Sequence, residues 1–171
     1  MFSFYDIKIN IKGHPLVLKN SKQIVVVNGR RLIKSNPRVE AYQHRAIAEV
    51  CDQIGHGFEV VTEPVHVRLM FYGAWKRDSK RLPDLDNLLC LPCDLLEAAG
   101  VIESDSQIEA FDWSRRICMC DTCDARPVYK AGPKKGLRKP DCGAVKQCPN
   151  ERVEISINRV GGKGGYWAHG S

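Results

Sequence analysis

The stretch Arg81–Ile108, RLPDLDNLLCLPCDLLEAAGVIESDSQI, decides how this chain is read. Acid sits near both of its ends: Pro83-Asp84-Leu85-Asp86-Asn87 first, then, one helix-length later, Glu103-Ser104-Asp105-Ser106-Gln107. Between them Leu88, Leu89, Leu95, Leu96 and Ala99 predict the buried face of a helix that stops at Gly100. Pro92 lies inside that helix and predicts a kink or a late start, because an interior proline removes a hydrogen bond and clashes with the preceding turn. Asp84 and Asp86 are two apart, a spacing that projects both to one side of extended backbone. With Asp105 they make three carboxylates able to converge on a hard divalent cation. The spacing also fits a plainer reading, with Asp86 capping a helix that begins at Asn87, Asp84 in solvent, and Asp105 in a turn before a strand.

Working outward, Phe4, Ile7, Ile9 and Ile11 alternate in part with polar residues and predict a first strand, for which a hairpin is the expected partner. That hairpin is Gln23–Val27, the turn dipeptide Asn28-Gly29, and Arg30–Ile33. Asn36 and Pro37 cap and open a helix, on which Val39, Tyr42, Ala46, Ile47, Val50 and Ile54 recur at spacings of three and four before Gly55 and Gly57. Val65, Val67, Leu69 and Phe71 alternate along a strand that runs into the basic Trp75–Arg81. Ile108–Ile117 reads as one strand with Ile108, Ala110 and Trp113 toward the core, and Val153, Ile155 and Ile157 mark a closing strand. The order predicts an α+β fold, a mixed sheet with two covering helices. Residues 1–117 and 151–160 would form this domain, 118–150 a cysteine-rich insertion between the last two strands, and 161–171 a flexible tail.

At 171 residues the chain is one domain with an appendage. Its 26 Lys and Arg against 20 Asp and Glu give +6, a bias toward a polyanionic partner that does not identify it. No apolar run approaches the ~20 residues that span a bilayer, and the first ten residues, with Asp6 among them, hold no export signal. A soluble, cytoplasmic protein without membrane partners is expected.

Five of the eight cysteines, Cys118, Cys120, Cys123, Cys142 and Cys148, fall within 31 residues. Cys120-x-x-Cys123 and Cys142-x₅-Cys148 form two hooks 18 residues apart, suited to a structural Zn²⁺ bound by four thiolates. Cys118 could replace Cys120, and an iron–sulfur cluster could use the same residues. Cys90-Leu91-Pro92-Cys93 is a further C-x-x-C, either a redox pair or two partly buried thiols. The five histidines show no ligand spacing.

Asp84-Leu85-Asp86-Asn87-Leu88, followed by Ala99-Gly100-Val101-Ile102 and Asp105-Ser106-Gln107-Ile108, resembles the RusA-type Holliday junction resolvases, a family of small, often phage-borne endonucleases. The likeness is sharp from Arg81 to Ile108 and co-linear elsewhere, including the loop Lys19-Asn20-Ser21-Lys22. It implies that Asp84, Asp86 and Asp105 hold catalytic Mg²⁺ or Mn²⁺, that Asn87 buttresses them, and that a homodimer cuts branched DNA in recombination or repair, in a bacterial or phage-infected cell. Arg77, Lys80 and Arg81 would hold backbone phosphates. The family places a lysine four residues after its second aspartate, where this chain has Cys90, so Lys76 or Lys80 would have to supply the charge. The alternative is a junction-binding protein with little cleavage; a third class, a zinc-stapled interaction module, leaves the aspartates unexplained.

Between residues 118 and 150 seven positive residues face three acids, a net of +4, or about +2 once a Zn(Cys)₄ centre adds its charge. Lys134 and Lys135 lie between the hooks, and the insertion is either a metal-pinned basic finger on DNA or a staple on a long hairpin.

Overall fold

The strand β4 (Val65–Gly73) carries the fold, with Val65, Val67 and Leu69 wholly buried on one face and Phe71 almost so. A computed structural model describes residues 6–18, 22–75, 82–118, 130–137, 148 and 150–160. In it β1 (Ile7–Lys12) and β7 (Arg152–Arg159) extend the sheet on one side of β4, β1 antiparallel to β7 and β7 antiparallel to β4. On the other side β5 (Ile108–Phe111) and β6 (Arg115–Cys118) both run parallel to β4. The sheet is therefore mixed. Two helices, α1 (Pro37–Ile54) and α2 (Leu85–Ala98), pack their buried residues into the same core as that apolar face.

Most expected elements form where the patterning places them. Asn36 caps α1 through its side-chain oxygen, which accepts from the Arg38 N–H at 2.9 Å, and Val39, Tyr42, Ala46 and Val50 are its buried stripe. The strand β1 does not pair with the hairpin, however. Its partner is β7, which sets Ile9 opposite Ile155 and Ile11 opposite Val153, so that both apolar faces are buried together. The hairpin strands β2 (Lys22–Val27) and β3 (Arg30–Ser35) make a separate two-stranded sheet.

Of the two outcomes expected at Pro92, the late start does not occur: α2 begins at Leu85 and runs through Pro92, which is itself buried. Proline inside a helix costs ~3 kcal/mol, while burying Leu88, Leu91, Leu95 and Leu96 contributes roughly 1.5–3 kcal/mol each, so packing prevails. The stretch Ile108–Ile117 is not one strand either. It breaks at Asp112–Ser114, where the Asp112 N–H donates to the Val67 carbonyl at 2.9 Å and the Ser114 hydroxyl accepts from the Leu69 N–H at 2.9 Å. Trp113, pinned between them, takes φ +55° and turns out to solvent, 78% exposed, instead of facing the core. Such a bulge also blunts the sheet edge against pairing with another chain. Among the described residues no helix is long and apolar enough to cross a membrane.

Gly73, the last residue of β4, lies beneath the indole of Trp75, where an added Cβ would meet ring atoms at 2.5 Å. Trp75 is only 9% exposed and belongs to the core. Gly73→Ala should therefore lower stability by about 1–3 kcal/mol, read as a fall in thermal midpoint. An unchanged midpoint would mean that Trp75 is not seated there.

Candidate functional site

Acid is placed at both ends of α2. At its start Asp84 is the N-cap residue, in extended backbone, but its side chain makes no capping hydrogen bond. The helix begins at Leu85, so Asp86 stands in the first turn and does not cap. Both aspartates are exposed. The Asn87 side-chain amide donates to Asp84 Oδ2 at 3.3 Å, the buttressing role expected of it. The Arg116 guanidinium, on β6, donates to the carbonyl of Pro83 and so ties the start of α2 to the end of the sheet where β4 terminates.

At the other end of α2, Asp105 opens a short 3₁₀ turn, Asp105–Gln107. The turn is locked by a reciprocal capping box, in which the Ser104 side chain accepts from the Gln107 N–H and the Ser104 N–H donates to Gln107 Oε1 at 2.8 Å; the Gln107 side-chain amide also donates to the carbonyls of Val61 and Glu63 at 3.1 Å each. The Asp105 N–H donates to Glu97 Oε2 at 3.1 Å. Asp94 lies close by, its carboxyl held above the usual range by desolvation, then by the charges of Asp105 and Glu97. Sequence reasoning missed Asp94 and Glu97. The signal was their spacing, since Asp86, Cys90, Asp94 and Glu97 at intervals of four, four and three form one stripe of the helix.

The donor chemistry suits a hard cation. The placement in one chain does not. From Asp86 to Asp94, the nearer of the two acids beside Asp105, is about 12 Å along a helix axis at 1.5 Å per residue, and among the described residues no group of three His, Cys, Asp or Glu side chains is close enough to hold one ion. Asp84 and Asp86 thus form one group, and Asp105 with Asp94 and Glu97 another. Cys90 lies on the stripe between them, its thiol 3.6 Å from the Asp86 carbonyl, and brings no fixed charge there. Cys93 is buried, its thiol donates to the Leu89 carbonyl at 3.1 Å, and burial, with Cys90 and Asp105 nearby, pushes it up to about 12.

At the sheet end where β1 and β4 finish and β7 begins, a buried carboxylate organises the backbone. Glu151 Oε1 lies 2.6 Å from His14 Nδ1 and accepts from the Ala74 N–H at 2.8 Å, and the His14 ring meets Trp75 edge-on at 5.6 Å. Beside it a cavity of about 600 Å³ is lined by Lys12, Arg38, Arg45 and Cys148 among others. The Glu151 N–H donates to the Cys148 carbonyl at 3.1 Å, so one end of the cysteine-rich segment is anchored here. Cys148 is buried and Cys118 half-buried at the end of β6, while the other proposed zinc ligands Cys120, Cys123 and Cys142 lie outside the described residues. Lys76, Arg77, Lys80 and Arg81 also lie outside them; Lys134 and Lys135 are exposed in a turn.

The family model described as Endodeoxyribonuclease RusA matches residues 15–118. The match takes in the hairpin, both helices and all three aspartates, and ends at Cys118, where the cysteine-rich segment begins. No curated protein matches the chain.

With its thiol pushed up to about 12, Cys93 stays protonated at pH 8, whereas Cys51 and Cys90 are exposed. Alkylation by iodoacetamide at pH 8, followed by peptide mass spectrometry, should label Cys93 at least about tenfold more slowly than Cys51 and Cys90. Equal labelling would contradict the burial.

Proposed function

The chain belongs to the RusA family of endodeoxyribonucleases, which resolve Holliday junctions, and from that premise we propose how its own residues cut branched DNA. The observation that carries the reading is the family match across residues 15–118, within which Asp84, Asp86 and Asp105 are all exposed carboxylates. The family is divalent-metal dependent; here the ion would be Mg²⁺ or Mn²⁺, held by Asp84, Asp86 and Asp105. When bound, such an ion would supply Lewis-acid chemistry to the phosphate and to a water molecule. Asn87 holds Asp84 in position, the locked Ser104–Gln107 turn holds Asp105, and Arg116 fixes the approach to α2. The basic run Lys76, Arg77, Lys80 and Arg81, just before the first aspartates, takes the DNA backbone in a salt-sensitive way.

The separation of the two aspartate groups gives the homodimer a specific task. Two α2 helices approaching antiparallel about a twofold axis would set Asp84 and Asp86 of each protomer beside Asp105 of the other, making two metal sites for the paired nicks of a four-way junction. The acidic stripe Asp86, Asp94 and Glu97 would then face its copy, a repulsion that divalent cations would offset.

In the insertion, Zn²⁺ held by Cys120, Cys123, Cys142 and Cys148, with Cys118 the spare or substitute ligand, would pin Lys134 and Lys135 on a basic finger beside the DNA. The anchoring of Cys148 and Cys118 at one sheet end supports a single pinned module. One observation favours a second reading, binding without efficient cleavage: Cys90 lacks the positive charge that would stabilise the transition state.

A labelled four-way junction and a matched duplex, with and without Mg²⁺ or Mn²⁺, separate the two. The nuclease reading expects paired nicks confined to the junction; Asp86→Asn should cut more than about 100-fold more slowly while junction binding survives. Tight binding without cleavage under either metal would establish the second reading. Cys120→Ser should lose its zinc, and stoichiometric zinc in that variant would refute the ligand set.

A further inference from the structure

The β2–β3 hairpin presents a combination of side chains that folding alone does not use. Among the described residues its strands pair only with each other, in register from Lys22–Ser35 to Val27–Arg30, around Asn28 and Gly29 with φ +50° and +77°, the left-handed pair of a tight hairpin turn. Ile24 is 72% and Val26 67% exposed, and Val27 and Leu32 stand about two-fifths exposed. Ile24 and Val26 share one side of the ribbon, and Val27 the opposite side with Leu32, so both sides are apolar. A lone two-stranded hairpin is marginal in water, and clustered apolar exposure marks an interaction surface.

Charge decides the occupant. Residues 22–35 contain Lys22, Arg30, Arg31 and Lys34 and no Asp or Glu. A second copy would bring like charge against like, whereas a polyanion complements the ribbon. We propose that the β2–β3 hairpin enters the branch point of the DNA, with Arg30 and Arg31 on phosphates and Ile24 and Val26 wedged against base faces that are unstacked there. A two-stranded ribbon fits a DNA groove, and inserted aliphatic side chains pry base steps apart. Intact duplex offers phosphates but no open base face; a branch point offers both.

The topology roots the hairpin where this is useful. It lies between the end of β1 and the start of α1, and Lys12 of β1 pairs with Arg152, which pairs with Tyr72 near the end of β4. From that same sheet end the chain proceeds through residues 76–81 to Asp84. The proposal rests on the branched-DNA reading and supplies its selectivity.

The test is a four-way junction carrying 2-aminopurine at the branch point, with Ca²⁺ in place of Mg²⁺ so that nothing is cut, alongside a linear duplex. Wild-type protein should brighten the 2-aminopurine and prefer the junction. Ile24→Ser with Val26→Ser should remove the brightening and weaken junction binding about tenfold while duplex binding holds, which also shows that the variant is folded. Arg30→Ala with Arg31→Ala should weaken both substrates and flatten the logarithmic salt dependence by about two. Unchanged preference and brightening in the serine variant would overturn the proposal, as would its sedimenting as a monomer where wild type is a dimer. Failure of the branched-DNA reading looks different, since wild-type protein would itself bind junction and duplex equally.

Discussion

The pairing of β4 with β5 and β6 is parallel, and much of the molecule follows from that constraint. Parallel neighbours cannot be joined by a tight turn; the chain must cross back over the sheet, and here α2 makes the crossing. Because β5 starts opposite Val65, at the beginning of β4, the residues just before β5 lie at the far end of α2 from those just after β4. Asp84 and Asp86 therefore stand at one end of the helix and Asp105 at the other, however close their motifs look in the sequence. The Arg116–Pro83 and Asp105–Glu97 hydrogen bonds hold those two ends in place.

The crossing helix is consequently two-faced. One side buries Leu88, Leu91, Leu95 and Leu96 under the sheet, and the other collects Asp86, Asp94 and Glu97 along a single stripe. Like charges at helical spacing repel by a few tenths of a kcal/mol per pair, and the Asp94 carboxyl is raised by desolvation first and then by the charges of Asp105 and Glu97. A helix optimised for stability alone would alternate charge there. Cys90 takes the position within this stripe where the family resemblance expects a lysine, and it brings no fixed positive charge there.

What could be read from the sequence was what depends on local periodicity. The alternation in β4 and β7, the three-and-four spacing of α1 with its Asn36 cap, and the Asn28-Gly29 turn each specify an element without reference to anything distant. The family followed from the pairing of two short acidic motifs at a fixed separation. What could not be read depends on partners far along the chain. The choice of β7 over the hairpin as partner for β1 is made by matching Ile9 and Ile11 to residues some 145 positions away. The bulge that expels Trp113 depends on Val67 and Leu69. Asp94 and Glu97 look like ordinary helix surface until the crossover delivers Asp105 beside them.

A subunit-mixing experiment tests most directly whether the two ends of α2 complete each other's metal site across a dimer. Asp86→Asn and Asp105→Asn proteins, each inactive alone, would be co-expressed with different tags and the mixed dimer isolated for junction nicking. If the sites are shared, the mixed dimer keeps one site with all three aspartates intact, and nicking returns. If each protomer holds a whole site, both sites in the mixed dimer are damaged. A mixed dimer as inactive as its parents would contradict the account.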